Sequence, residues 1–308
     1  MKKTISFFML VTNRDLMISD YAIQSFKKLT LYNYTWKLII FLNCLTPKNE
    51  QYITNKWSSE DFIEIISEKN IPDGYVNPRG PMFDPSDIWT KYFYASSSDY
   101  WCQVDSDFEI IRPDFIEKIF SLFDKYSALK VISANSSPDI LCHESFSGET
   151  KIVKQRLHTW FCIYSKDCKV CRTGFYFQQF SEGNLKWCYD HAGYLQHTLA
   201  KEYNFQMISI DSFDSTFAYD YIHYAAFSKN RSLNTRLKTA IYRFIVKASK
   251  LGAFSLINPH KLSPRTYSIL KFINFFIKKI FSQIYKLKYQ KISNERTIYT
   301  YDNPLDKN

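Results

Sequence analysis

Two aspartates separated by a single residue follow a short segment that is rich in aromatic and β-preferring side chains. The segment runs over residues 100–104, and the two acids are Asp105 and Asp107. Side chains alternate along a strand, so these two carboxylates are expected on the same side. Paired carboxylates at the carboxyl end of an α/β strand can hold Mn²⁺ or Mg²⁺ against phosphate oxygens. The pattern also occurs in surface turns, so the surrounding elements must decide between the two interpretations.

Two apolar segments earlier in the chain also end in polar side chains. Residues 5–11 and 36–42 are nearly continuous apolar runs, which is typical of parallel strands buried on both faces. The first run ends in Thr12, Asn13 and Arg14, and the second ends in Asn43. Ligands of such sheets bind at the carboxyl ends of the strands. All four polar residues are therefore candidate ligand contacts beside the two aspartates.

The remaining pattern alternates between helical and strand periodicity. Apolar residues recur at helical spacing over 18–29, 88–96 and 114–123, and further strands are predicted near 61–66 and 129–134. This alternation predicts an α/β fold with a mostly parallel central sheet flanked by helices.

Composition and cysteine usage limit the class of protein. The chain has 308 residues, of which 45% are hydrophobic and 18% aromatic, so a disordered or collagen-like chain is excluded. Its seven scattered cysteines argue against a disulfide framework and for a reducing compartment. Cys168 and Cys171 have the spacing of half a zinc site or a redox pair, but no second pair follows, which favours a structural role. The N-terminal apolar run is too short for a signal peptide and no run of about 20 residues could span a membrane, so a cytoplasmic protein is expected.

The positive charge is concentrated at the end of the chain. The net charge is +10, and residues 221–308 contain 17 basic and only 3 acidic residues. The tail, residues 231–308, contains two segments with basic amphipathic character, 236–251 and 263–288. In the second segment a polar stripe lies opposite an aliphatic and aromatic face; its members are Lys271, Asn274, Lys278, Ser282 and Lys286.

Three interpretations of this basic amphipathic tail remain open. A helix of this kind can lie in an anionic membrane interface, which we favour. Its apolar face could instead pack on the rest of the chain. Nucleic-acid binding is disfavoured because no recognised nucleic-acid motif accompanies the charge.

Two later motifs, read with the first ones, carry a family resemblance. Asp190 lies in Trp-Cys-Tyr-Asp-His-Ala-Gly, residues 187–193, and His223 lies in Tyr-Ile-His-Tyr, residues 221–224. With the Asp-x-Asp pair, they make the first ~230 residues resemble GT-A glycosyltransferases, of the kind typified by family 2 of the inverting nucleotide-sugar enzymes. The chain departs from that family at Tyr189, where Glu is usual, and after the late histidine, where a Gly-rich ending is replaced by two alanines.

The resemblance implies a Rossmann-like GT-A fold and specific roles for the motif residues. Asp105, Asp107 and His223 would form the metal site, and Asp190 would be the catalytic base. The nucleotide-sugar site would comprise Thr12, Asn13, Arg14, Asn43 and Asp105. Residues 1–230 would form the catalytic domain, with a nucleotide-sugar half over about 1–110 and an acceptor half over about 111–230, and residues 231–308 the tail.

The predicted function is a metal-dependent glycosyltransferase, expected to be inverting, that acts in surface polysaccharide or lipopolysaccharide synthesis. It would use a nucleotide-sugar donor, with a UDP-sugar favoured, and a glycan or lipid-linked glycan acceptor. It would attach peripherally to the cytoplasmic face of the inner membrane through residues 236–288. Two alternatives remain: a sugar-phosphate nucleotidylyltransferase, disfavoured because the first loop has no glycine, and a non-catalytic membrane-associated glycan- or lipid-binding protein.

Overall fold

The computed structural model describes most of the predicted catalytic region. The described residues are 2–13, 15–75, 77, 81–134, 136–137, 156–176, 178–182, 185–189, 191–209 and 221–223. Arg14, Asp190 and the whole tail lie outside this set, so the proposed domain boundary near residue 230 stays a prediction.

Helices and strands alternate along this part of the chain. The helices are α1 (Leu16–Phe26), α2 (Pro47–Trp57), α3 (Pro85–Ala95), α4 (Asp114–Lys125) and α5 (Gly193–Lys201), with a short 3₁₀ helix at Lys166–Val170. The strands are β1 (Lys3–Val11), β2 (Tyr34–Asn43), β3 (Ile63–Glu68), β4 (Tyr100–Asp105), β5 (Phe108–Ile110), β6 (Leu129–Ser133), β7 (Ser136–Ser137), β8 (Arg156–Leu157), β9 (Phe161–Ser165), β10 (Gln178–Glu182), β11 (Leu185–Tyr189), β12 (Gln206–Ser209) and β13 (Tyr221–His223).

A seven-stranded sheet organises these elements, in the order β12-β6-β9-β4-β1-β2-β3. All neighbouring strands are parallel except β9, which runs antiparallel to both β4 and β6. Three smaller ladders join β10 to β11, β13 to β5 and β7 to β8. The sheet and its helices confirm the predicted α/β fold with a mostly parallel central sheet.

Hydrophobic layers cover both faces of this sheet. Neighbouring side chains of β1 enter opposite layers, so Phe7 packs with α1 and α4 whereas Phe8 packs with α3. Both rings are completely buried, as the continuous apolar run of β1 predicts. Helix α4 presents one strongly apolar face; its buried members are Phe115, Ile116, Ile119, Phe120, Leu122 and Phe123.

The loop between β3 and α3 is tied to the end of β2. The side-chain amide of Asn43 donates to the carbonyl of Phe83 at 2.8 Å, and its oxygen accepts the Phe83 N–H at 2.9 Å. Helix α3 then begins after Asp84, whose carboxylate accepts the N–H of Ser86. Within the described residues, no helix combines the length and apolar character needed to cross a bilayer.

Candidate metal centre

The two aspartates lie where β4 ends. Asp105 is the last residue of β4, and Ser106 and Asp107 form the short connection to β5. The N–H of Asp105 donates to the carbonyl of Trp160 at 2.8 Å, which fixes the backbone at this point. The Asp105 side chain keeps 30% of its surface exposed and that of Asp107 12%, so a ligand can reach both carboxylates.

His223 joins this pair through strand pairing. β13 runs antiparallel to β5, and His223 is the register partner of Phe108, the residue after Asp107. Its Nε2 lies 3.1 Å from Oδ1 of Asp107 and 3.5 Å from Oδ2 of Asp105. One ligand atom from each residue lies within 4.8 Å of the others. Strand pairing thus brings His223 into one cluster with Asp105 and Asp107, although more than a hundred residues separate them along the chain.

Aromatic stacking holds β13 in this position. Tyr221 stacks on Phe108 at 4.8 Å between ring centroids, and Phe108 stacks on Phe161 at 4.9 Å. The next ring along β13, that of His223, stacks on Trp160 at 4.0 Å with an angle of 19° between the planes. A strand of only three residues has few ladder hydrogen bonds, so these ring contacts supply much of its packing.

The electrostatics of the cluster suit a cation. Burial alone would lower the pKa of His223, but the charge of Asp107 and hydrogen bonds to both aspartates outweigh it and raise the pKa to about 9. Burial raises the pKa of Asp105, and the nearby Asp107 charge adds to this, while the hydrogen bond from His223 opposes it. In the metal-free protein a protonated imidazole therefore neutralises part of the carboxylate charge at pH 7.

The donor set fits a hard or borderline divalent ion. Two carboxylates and one imidazole are ligands that Mn²⁺ and Mg²⁺ accept, and bound phosphate or water oxygens can complete the coordination. Among the described residues this is the one cluster of three or more metal-ligating side chains. Cys168 and Cys171 are not part of such a cluster; both are free and buried, and burial raises the pKa of Cys168 to about 12.

Apart from Arg14, which is not among the described residues, the predicted nucleotide-sugar residues lie at the same edge of the sheet. Parallel register aligns Leu10 of β1 with Asp105, and Val11 with Leu42, so Thr12, Asn13 and Asn43 follow at the carboxyl ends of adjacent strands.

These polar residues already make contacts within the chain. The Thr12 hydroxyl donates to Asp15 at 2.7 Å. Asn13 links the loops after β1 and β2, because its amide donates to Cys44 and its oxygen accepts from Thr46 and Asn49. These contacts shape the edge, and ligand binding by Thr12, Asn13 and Asn43 stays a prediction, as it does for Arg14.

The chain around the predicted base is positioned by α3 and α5. Asp190 itself is not among the described residues. Helix α5 begins at Gly193 with Ala192 as its N-cap, so the capping position lies two residues beyond Asp190. His191 forms a hydrogen bond between its Nδ1 and the hydroxyl of Ser86, and its ring lies edge-on to Trp89. The role of Asp190 as base stays a prediction.

Three residues near the centre were not singled out by the sequence. Trp160 and His158 form a ring stack with His223, and Gln103 is buried on β4 two positions before Asp105. In a chain with 18% aromatic residues, one more tryptophan carries no distinguishing signal. Gln103 offered a signal, because a polar side chain interrupts an otherwise apolar strand immediately before the aspartates.

No family model matches this chain, and no curated protein matches its sequence. Solved structures do match. A fragment of TarS from Staphylococcus aureus, residues 1–349, is 16% identical over 57% of this chain and 50% of that one, with a TM-score of 0.38. The mannosyltransferase PcManGT from Pyrobaculum calidifontis, in complex with GDP-Man and Mn²⁺, is 8% identical over 88% and 79%, with a TM-score of 0.46.

A third match is the glucosyl-3-phosphoglycerate synthase from Mycobacterium tuberculosis, in complex with Mn²⁺, UDP and glucosyl-3-phosphoglycerate. It is 14% identical over 81% of this chain and 80% of that one, with a TM-score of 0.44. The chain spans half the length of the TarS fragment. The mostly parallel sheet, with the two aspartates at the end of β4, agrees with the α/β architecture that the sequence predicted, whereas the insertion of the antiparallel β9 was not predicted.

Proposed function

We propose that this protein is a metal-dependent glycosyltransferase that takes its sugar from a nucleotide-sugar donor. The observation that carries the proposal is the cluster of Asp105, Asp107 and His223 at the carboxyl end of β4. Such a site is placed where α/β sheets bind ligands and has the charge needed to hold a diphosphate through a cation. Matched structures that contain GDP-Man, UDP and Mn²⁺ are consistent with this proposal.

The residues of the chain would divide the chemistry between them. Asp105, Asp107 and His223 would hold a divalent ion, Mn²⁺ or Mg²⁺, which when bound supplies positive charge against the leaving diphosphate. Thr12, Asn13 and Arg14 would line the nucleotide side of the same edge, and the buried Asn43 would support it by holding the Phe83 backbone. Asp190 would accept the proton of the acceptor hydroxyl. The oxygen of that hydroxyl would form a bond to the sugar carbon as the bond between this carbon and the diphosphate breaks. With one displacement and one base, the configuration at that carbon would invert.

The composition of the tail leads to a proposal for the acceptor and for the location of the protein. We infer that the acceptor is a glycan or lipid-linked glycan of a surface polysaccharide, because residues 236–288 have the composition of an interfacial basic helix. The protein would then work at the cytoplasmic face of the inner membrane. The division into a catalytic region to about residue 230 and the tail, residues 231–308, belongs to the same proposal.

The first test is nucleotide binding with and without Mn²⁺, measured by thermal unfolding and calorimetry. UDP, GDP and CMP are compared on the wild type and on an Asp105→Asn/Asp107→Asn variant, which keeps side-chain shape and removes both charges. A ligand at a hundred times its dissociation constant stabilises the native state by about 2.7 kcal/mol. We expect a shift with one nucleoside diphosphate that needs Mn²⁺ and is lost in the variant. Asp124→Asn, which alters an exposed carboxylate paired with Lys3, is the matched control and should retain the shift.

A second arm separates the alternative functions. Transfer from a nucleotide sugar releases a nucleoside diphosphate, whereas a nucleotidylyltransferase consumes a nucleoside triphosphate and a sugar phosphate and releases pyrophosphate. Asp190→Asn should lower turnover by about 10²- to 10⁴-fold while Mn²⁺-dependent nucleotide binding is retained. Absence of any nucleotide binding would reject the enzyme and favour a glycan- or lipid-binding protein.

A further inference from the structure

Trp160 contacts two of the three candidate metal ligands at once. Its carbonyl accepts the N–H of Asp105 at 2.8 Å, and its indole ring stacks on the imidazole of His223 at 4.0 Å. Trp160 lies directly before β9, the antiparallel strand beside β4. One residue therefore joins the end of β4 to the side chain contributed by β13.

The stack restricts the motion that matters for metal binding. The torsion that turns a histidine ring has a broad, roughly two-fold profile, so an unsupported imidazole samples many ring planes. Here the nearly parallel indole, at 19° to the imidazole, limits rotation and keeps Nε2 directed at Asp107, 3.1 Å away. The two aspartates attract the imidazole but, as flexible acceptors, do not define its plane.

Trp160 is itself supported on its other face. The ring of His158 lies 4.3 Å from the indole at an angle of 10°, so Trp160 is enclosed between two imidazoles. The carbonyl of His158 accepts the hydroxyl of Ser133, the last residue of β6, at 2.6 Å. With both faces covered, the indole has no free face on which a sugar ring could stack. The contacts of Trp160 therefore indicate that it supports the metal-ligand cluster and does not bind a sugar.

We propose that Trp160 is a positioning residue of the metal centre, which sets the ring plane of His223 and the backbone of Asp105 for ion binding. This inference rests on the metal centre of the proposed function and adds a residue that never touches the ion. Replacing a residue that orients metal ligands in this way typically weakens metal binding by 10- to 100-fold.

The test measures Mn²⁺ affinity and the ligands of the bound ion in the full-length protein. In electron paramagnetic resonance, the signal of free Mn²⁺ gives the dissociation constant. Pulsed electron paramagnetic resonance then detects whether a nitrogen nucleus, such as that of a ligating imidazole, is coupled to the bound Mn²⁺. The wild type should show this coupling, and His223→Ala should not. We expect Trp160→Leu to bind Mn²⁺ about 10- to 100-fold more weakly and to lose the coupling. Trp160→Phe, which keeps an aromatic face, should retain the coupling.

Two further variants show whether weaker Mn²⁺ binding results from impaired folding alone. Trp160→Met places a longer, unbranched side chain of similar volume to leucine in the space of the indole, again without a ring, so the same loss is expected if the leucine variant does not fold. Trp36→Leu removes a tryptophan of similar partial burial from the opposite edge of the sheet, where Trp36 pairs with Ile5. It should lower the melting temperature and leave Mn²⁺ affinity unchanged.

Failure of the positioning role and failure of the metal centre give different results. Wild-type affinity and nitrogen coupling in both Trp160→Leu and Trp160→Met would overturn the positioning role while the metal centre stands. A wild type that binds no Mn²⁺ would overturn the metal centre itself, and the inference with it.

Discussion

Gln103 and Gln196 are both completely buried, but they differ in their hydrogen bonds. Gln196 accepts the N–H of Leu157 at 2.8 Å and donates to the Leu157 carbonyl and the Tyr164 hydroxyl, both at 3.2 Å. Neither amide atom of Gln103 has a hydrogen-bond partner among the described residues, and the same holds for Nε1 of Trp101 on the same face of β4. Burying an unpaired amide costs about 1–3 kcal/mol by mutational data.

We therefore predict opposite effects from the same substitution at the two positions. Gln103→Leu should raise the free energy of unfolding by about 1–2 kcal/mol, because it removes an unpaired polar group. Gln196→Leu should lower it by about 1–3 kcal/mol, since the buried groups of Leu157 lose their partners. Urea unfolding of both variants gives the comparison. Destabilisation by Gln103→Leu would instead show that the amide has a partner, such as an ordered water.

The raised pKa of His223 predicts how stability depends on pH without metal. A folded-state pKa of about 9, above the unfolded value near 6.5, makes the contribution of this group fully present below pH 6.5. It is lost as pH rises through 9. The shift corresponds to roughly 3 kcal/mol between the two limits. In the absence of Mn²⁺, the stability difference between wild type and His223→Asn should therefore shrink from pH 6.5 to pH 9.

Mn²⁺ should reverse this dependence, because the ion must displace the proton from His223. The stabilisation that Mn²⁺ gives to the wild type is expected to grow with pH up to about 9. Melting temperatures with and without Mn²⁺ across this range provide the measurement. A stabilisation by Mn²⁺ that is independent of pH would mean that His223 is not a ligand.

Asn43 provides a test at the level of elements, because it joins the end of β2 to the start of α3. It is buried, and its two hydrogen bonds to the backbone of Phe83 have no access to replacement water. Asn43→Ala should therefore lower the free energy of unfolding by about 2–4 kcal/mol, since two buried backbone groups lose partners. Asn49→Ala, which removes a partly buried bond to Asn13, is the control and should cost less. Equal losses from both variants would contradict the connecting role.

The elements that the sequence predicted are those whose burial produces a periodic pattern. Strands β1, β2 and β6 are buried runs, and α3 and α4 carry an apolar face with start signals, so all five were predicted close to their observed bounds. Helix α2 was not predicted, because only Ile53 and Trp57 of its eleven residues are buried and its pattern is mostly polar. Strand β9 was missed for a different reason: no local feature indicates that a late segment inserts between two earlier strands.

The candidate site was predictable only where its chemistry is local. The Asp-x-Asp spacing points to paired carboxylates, and the resemblance drew attention to His223. The contact between them is set by β13, three residues whose place depends on rings from β5 and β9. Trp160 acts through stacking and a backbone carbonyl, and neither leaves a mark in the sequence.

For the molecule as a whole, the uneven charge predicts membrane binding through the tail. Each lysine near an anionic surface contributes about 1 kcal/mol, so replacing Lys271, Lys278 and Lys286 together by glutamine should weaken binding about 100-fold. Cosedimentation with phosphatidylserine-containing vesicles measures this, and vesicles of phosphatidylcholine alone should bind weakly. Replacement of the exposed lysines Lys2, Lys28 and Lys48 by glutamine is the matched control. Equal binding by both triple variants would contradict attachment through the tail.

The pairing of β13 with β5 also determines what an ion at the centre would do to the chain. A metal held by Asp107 and His223 would act as a removable cross-link across more than a hundred residues, much as a disulfide closes a loop. Such a closure reduces the conformational freedom of the unfolded chain, and its effect grows with the length enclosed. Donor binding and the folding of the late segment would then depend on the same coordination bonds. Loss of such an ion would remove one of the ties that keep β13 in place.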